Sequence, residues 1–336
     1  MAHKMHVGQR QRGVTLIELM VAMVLGLIVI AGAVSVTIAN RRSYSTNEGL
    51  SQVQESSRSA FELLARDIRQ TGLTGCDNRG RTANVLVAGS RWWQTWYGLR
   101  GLTGAQAGAA PFGTARFDRV AGTDAVQTQG VQGMGMSLAT HAPTTATMVI
   151  NAALADVVVN DVLVVCNFDH AAIFQVTNFT APATLTHAEG GPAPGNCSTG
   201  LGFPTICTTA GNSYQFTRNS LVAPLAATEW YIGQSGRAAD SGRSLMRRRL
   251  ARGGSVAIEE LVTDVTNMTI TYRVADTMNF VAASAVAATD WPTVNAIKID
   301  LTILSADARV TTTPGTNNGR IERSSSQIFA LRNRVP

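Results

Sequence analysis

Gly13-Val14-Thr15-Leu16-Ile17-Glu18 leads directly into Leu19–Ala39, a run of 21 residues without a charged side chain. This stretch decides how the chain is built. At 1.5 Å per residue the run measures about 32 Å as a helix, close to the hydrocarbon thickness of a bilayer. Glu18 stands at its edge, five residues after a glycine. A charged side chain at the centre of a membrane helix costs about 2.5–3.5 kcal/mol even on lenient insertion scales, so an acid in this setting is a candidate functional group. Lys4, Arg10 and Arg12 precede the run. Positive flanks stay cytoplasmic, which sends the remainder of the chain across the membrane; Arg41 and Arg42 on the other flank reduce the asymmetry. A secretory signal peptide would carry a shorter apolar core with small residues behind it as the cleavage site.

Helical periodicity outlasts the apolar run. Leu50, Val53, Ser57, Ala60, Phe61, Leu64 and Ile68 recur at spacings of three and four, with Glu55, Arg58, Glu62, Arg66 and Asp67 mostly between them. Gly72 and Gly75 write the stop. The spacing predicts one helix from Thr15 to Gln70, about 84 Å long, whose second half is amphipathic and packs its stripe on a folded head. Gly49 and the Ser43–Asn47 stretch predict a kink or frayed turn between the halves.

Residues 73–336 are long enough for a sizeable core. Short apolar or alternating runs separated by Gly, Pro and Asn predict strands at Val85–Ala88, Ala125–Gln129, Thr147–Ile150, Val162–Cys166, Ala172–Phe179, Tyr214–Thr217, Ser244–Leu250, Thr266–Val274 and Ala296–Leu304. Val256–Asp264 reads as helix or strand, and Ala282–Ala288 as loop or helical turn. Ala105–Gly113, Gly190–Gly202 and Thr311–Gly319 read as loops. The fold class is therefore α+β: a long N-terminal helix, transmembrane then amphipathic, packed on a large, mostly antiparallel β head.

The four cysteines, Cys76, Cys166, Cys197 and Cys207, all follow the helix. An even count in an extracytoplasmic region favours two disulfides, with three pairings open. Cys197 and Cys207 bracket a short Gly/Pro loop and are expected to pair. Cys76 would then tie the helix end to the strand ending at Cys166. No C-x2-C pair is present to suggest zinc, so no metal is expected. The formal charge is +6, but half of it belongs to residues 1–13, which weakens the case for nucleic-acid binding from charge alone. No G-x-S-x-G, H-E-x-x-H or P-loop pattern occurs. Asp169-His170 reads as a solvated loop pair. The expectation is a protein that is not an enzyme, with no cofactor and no small-molecule substrate.

Two clusters stand out in the head. Trp92, Trp93, Trp96 and Tyr97, flanked by Arg91 and Arg100, form either a partner contact or a local minicore. Arg247, Arg248 and Arg249, with Arg243 and Arg252 nearby, form either a phosphate-binding patch or a charged edge strand that resists sheet-to-sheet pairing. The second reading of each is favoured.

The leader, Gly13, and Glu18 at the fifth position after it resemble the signal of type IV pilins and pseudopilins. Ala65-Arg66-Asp67-Ile68-Arg69-Gln70-Thr71-Gly72 with Gly75-Cys76 is similar to the helix end of the PilW minor pilins, relatives of the J-type pseudopilins. Asp161–Cys166 with Ala171–Thr177, Glu260–Val265 with Met268–Tyr272, and Phe329–Arg334 are similar to later segments of that family. Val14 stands where pilins commonly have Phe, and Ser35 where many major pilins have a helix-kinking proline. The resemblance implies a leader at 1–13, a transmembrane half at 14–40, an amphipathic half at 41–72 and a head at 73–336. It implies cleavage after Gly13 by a prepilin peptidase in the inner membrane, N-methylation of Val14, and pairing of Glu18 with a neighbouring subunit's N-terminal amine. It further implies a tip complex with other minor pilins, the major pilin and a tip adhesin, serving adhesion and twitching motility. A type II secretion pseudopilin and a DNA-uptake pilus component are the alternatives.

Overall fold

The computed structural model describes residues 13–73, 75–76, 81–89, 91–94, 101–104, 110–133, 135–151, 157–237, 241–308, 310 and 317–331. Leu16–Arg69 forms α1, a single helix of 54 residues. The expected kink is absent: the helix runs through Ser43–Asn47 and Gly49 without a break. One glycine costs about 1 kcal/mol in a helix, too little to interrupt so long an element. The chain divides into two compact units, residues 1–51 with 307–321, and residues 52–306 with 322–336.

In the first unit, the apolar side chains of α1 from Leu16 to Ile38 point outward with nothing packed on them; Leu16 is 78% and Ile28 63% exposed. This helix is long and apolar enough to cross a membrane. Ser35 Oγ donates to the Gly32 carbonyl at 2.8 Å and Thr37 Oγ1 to the Ala33 carbonyl at 2.9 Å, so both hydroxyls are satisfied inside the apolar stretch. Thr46 Oγ1 donates to the Val310 carbonyl at 3.2 Å.

The second unit is the β head with the end of α1. Its strands are β1 (Thr82–Asn84), β2 (Leu102–Gly104), β3 (Ala125–Val131), β4 (Met136–Ala142), β5 (Thr147–Ile150), β6 (Val162–Cys166), β7 (Ala171–Gln175) and β8 (Asn178–Thr180). They continue with β9 (Thr184–Thr186), β10 (Leu221–Gln234), β11 (Arg243–Leu250), β12 (Val256–Thr263), β13 (Val265–Val274), β14 (Val281–Ala282), β15 (Val294–Leu304) and β16 (Glu322–Ala330). β10 is the spine of the larger sheet. Leu221–Pro224 pair with β6, Leu225–Tyr231 with β3, and Thr228–Gln234 with β11. A second sheet has the order β14-β13-β15-β16. All named pairings are antiparallel except β1 with β7.

Val53, Ala60, Phe61, Leu64, Ala65 and Ile68 of α1 are buried in one core with Trp230, Ile232 and Leu245 of the larger sheet and Ile270, Ile297, Ile299 and Leu301 of the smaller one. The predicted amphipathic stripe is thus the packed face. Ala172–Phe179 divides into β7 and β8, and Val256–Asp264 resolves as a strand. Tyr214–Thr217 lies outside any strand. Val85–Ala88 also lies outside any strand, with only an isolated bridge at Leu86. The short strands β1, β2, β9 and β14 escape sequence reading, and so do three of the longer ones. β10 contains Pro224 and three alanines, all poor strand formers. β16 is centred on Ser324–Ser326, and β4 shows only a partial alternation of burial.

Candidate processing and assembly site

Helix α1 starts at Leu16, which makes Thr15 its N-cap and Glu18 the third helical residue. Glu18 Oε2 accepts from the Thr15 backbone N–H and from Thr15 Oγ1, both at 3.1 Å, and the Glu18 N–H donates to Thr15 Oγ1 at 3.3 Å. This is a capping box, in which cap and acid satisfy each other's donors. The signal is written in the sequence as Thr15-x-x-Glu18 immediately before the apolar run. The carboxylate of Glu18 also lies at the positive end of the helix dipole. Val14, directly before the box, is 72% exposed. Residues 1–12 of the expected leader lie outside the described residues.

Cys76 and Cys166 form a disulfide across a separation of 90 residues, and Cys197 and Cys207 another across 10. The first joins the segment after α1 to the end of β6. The second closes an irregular excursion between β9 and β10.

Trp92 and Trp93 are 8% and 0% exposed. They pack with Leu86, Val131, Val164, Ile173 and Leu225, and Gln129 Nε2 donates to the Trp93 carbonyl at 3.0 Å. The partner-contact reading does not hold for these two: an indole so enclosed offers no surface to another protein. Trp96, Tyr97 and Arg100 lie outside the described residues.

The arginine cluster is also corrected. β11 is not an edge strand, because it pairs with both β10 and β12. Arg247 Nη2 meets Glu259 at 2.6 Å and Arg249 Nε meets it at 2.9 Å. Burial pushes the Glu259 carboxyl up, but the hydrogen bonds from these two arginines bring it net below its ordinary value. Arg248 reaches inward to Glu229, at 2.5 Å. Glu229 is fully buried and also accepts from Gln127 Nε2 and the Ala110 N–H. Burial raises its carboxyl in spite of Arg248. Alternate residues of a strand face opposite sides. Arg247 and Arg249 therefore share one face and Arg248 the other, and all three hold carboxylates of their own chain. This arrangement is internal pairing and gives no support to a phosphate-binding patch.

His141 and His170 both pack on Phe216, and His187 packs on His141 and Phe174, an arrangement with no local sequence signal. His170 is buried beside Tyr214 rather than solvated, with Nδ1 on Asp169 at 3.1 Å and Nε2 on the Leu201 carbonyl at 3.2 Å. No group of three or more His, Cys, Asp or Glu side chains suited to a metal occurs among the described residues.

An apolar helix with a capped acid at its start, continuing into a β head, defines the class as type IV pilin-like. Residues 8–34 match the family model described as the prokaryotic N-terminal methylation motif. Residues 229–333, from β10 past β16, match the family model described as type IV pilus-assembly protein W, PilW. The chain is therefore minor-pilin-like, and this class of protein is structural rather than enzymatic. A type IV-like pilin from Thermus thermophilus is similar at 12% identity over 85% of this chain and 98% of its own, with a TM-score of 0.34. No curated protein matches the chain.

Proposed function

We propose that this protein is a minor pilin that enters a priming complex at the tip of a type IV pilus. The observation that carries the reading is the Thr15–Glu18 box at the head of an exposed apolar helix, directly after Gly13. Cleavage after Gly13 frees the amine of Val14 for methylation. The helix holds the chain in the inner membrane with the head outside the cytoplasm. During assembly Glu18 exchanges part of its contact with Thr15 for the N-terminal amine of a neighbouring subunit. In a low-dielectric bundle that pairing offsets the desolvation of both groups and sets the axial register of one helix on the next. Its partners are then other minor pilins, the major pilin, a tip adhesin and the prepilin peptidase, and its consequences are adhesion and twitching motility.

The test is recovery of the Glu18→Ala variant in sheared pili, with intact mass and N-terminal sequence read on the membrane fraction. The expected variant is inserted and cleaved at Gly13 but depleted from pili. Wild-type recovery would sink the assembly role. A wild-type chain that keeps its leader would sink the processing step.

A further inference from the structure

His141 at the end of β4 and His187 just beyond β9 are 4% and 0% exposed, and their Nε2 atoms lie 3.1 Å apart. The Phe216 N–H donates to His141 Nδ1 at 3.1 Å. Together these contacts assign the protons. A nitrogen that accepts a hydrogen bond carries no hydrogen, so His141 is protonated on Nε2 and donates to His187 Nε2. His187 then carries its proton on Nδ1, which is buried with no partner among the described residues. Both rings must be neutral. The same assignment removes the pair as metal ligands, since His141 Nε2 has no free lone pair.

The pair also anchors a strip of chain. Gln215 Nε2 donates to the His141 carbonyl at 3.1 Å, beside the Phe216 contact, and the His187 N–H donates to the Ala146 carbonyl at 2.9 Å. Segment 188–217, which carries the Cys197–Cys207 disulfide, starts at one histidine and returns to the other. We propose that the His141–His187 pair is an acid-release latch on the Tyr214–Thr217 strip, the return leg of this segment.

A second proton on His141 Nδ1 would face the Phe216 N–H donor. A second proton on His187 Nε2 would face the His141 Nε2–H. Either way two donors meet where one bond stood, and a charge enters a pocket built from Met148, Leu185, Phe174 and Phe216. β5, β7 and β9 bring no titratable side chain to this pocket, and β4 brings only His141. Beyond Phe216 stand Tyr214 and His170, the latter bonded to Asp169, which pairs with Arg81 at 2.7 Å. His170 holds the Leu201 carbonyl, so the middle of the segment has an anchor of its own.

Burial lowers His141 to about 4; burial, and then repulsion from a charged His141, lowers His187 to about 3. Both lie below the unfolded value, so the latch contributes fully above about pH 6.5 and is lost as pH falls toward 4 and then 3. In that window the opening constant rises about tenfold per pH unit for each proton taken up.

Amide hydrogen exchange on the full-length protein in detergent micelles, corrected for intrinsic rates, tests the latch at pH 7, 6 and 5. Protection of Phe216 relative to Ile270 and Ile299 is expected to fall about tenfold or more by pH 5. In His141→Gln and His187→Gln that fall should shrink, and in the double variant it should vanish. Unchanged relative protection in the wild type, or the same fall in both variants, overturns the proposal. Should the variants not fold, imidazole 15N shifts of the wild type decide. A proton on His141 Nε2 and on His187 Nδ1 at pH 7, with midpoints below 5, supports the latch; the opposite tautomers or midpoints near 6.5 overturn it.

Discussion

Asp67, in the last turn of α1, accepts a hydrogen bond from the indole Nε1–H of Trp230 at 3.0 Å, and Trp230 is fully buried at the middle of the spine strand β10. Arg247 of β11 approaches the same carboxylate at 3.7 Å and lies over the Trp230 ring at 5.6 Å. The end of the helix is thereby fixed to both strands by direction as well as by packing.

Replacement of Asp67 separates these contributions. Asp67→Asn keeps an acceptor for the indole, whereas Asp67→Leu leaves a buried N–H unpaired, which costs about 1–3 kcal/mol. Urea midpoints of the full chain in micelles should therefore rank wild type and Asn well above Leu. Burial raises the Asp67 carboxyl, against Arg247 and the Trp230 bond. A raised acid contributes below its unfolded value and loses that contribution as pH rises through the folded one. Wild type should therefore lose stability relative to Asp67→Asn as pH increases above the ordinary carboxylate range.

Thr15→Ala removes both the cap and the partner of Glu18. The expected cost is about 1 kcal/mol, confined to the first turn. The Leu19 N–H, which donates to the Thr15 carbonyl at 3.2 Å, should exchange faster. Thr15→Ser, which retains the hydroxyl, should restore it. Equal exchange in wild type and Thr15→Ala would show that the box does not hold the helix start.

The two disulfides should differ in worth. In the chain-entropy treatment a bridge spanning 90 residues constrains the unfolded state more than one spanning 10. The difference is about 2 kcal/mol. Paired Cys→Ala variants at 76 and 166 should lower the denaturation midpoint more than those at 197 and 207.

The glutamates that hold the arginines are not equivalent. Glu259→Gln leaves Arg247 and Arg249 near solvent and should cost less than about 1 kcal/mol. Glu229→Ala leaves Arg248 facing an emptied, buried position and should cost about 3–5 kcal/mol. Equal effects on thermal unfolding would show that burial does not separate the two pairs.

The sequence by itself determined the long helix, its apolar first half, its amphipathic second half, the acid after Gly13 and the mostly antiparallel character of the head. Those properties depend on periodicity and on neighbours three or four residues away, so they can be read along the chain. Even the capping box was legible in Thr15 and Glu18. Only the tertiary structure decided that Trp92 and Trp93 lie inside, that Arg247, Arg248 and Arg249 are already paired, and that β10 runs through Pro224. It alone brought His141 and His187, 46 residues apart, into contact. Strand pairing and burial are set by partners distant in sequence. A strand of alanines, a proline or serines carries little local preference, and takes its place only when the neighbouring strands supply its hydrogen bonds.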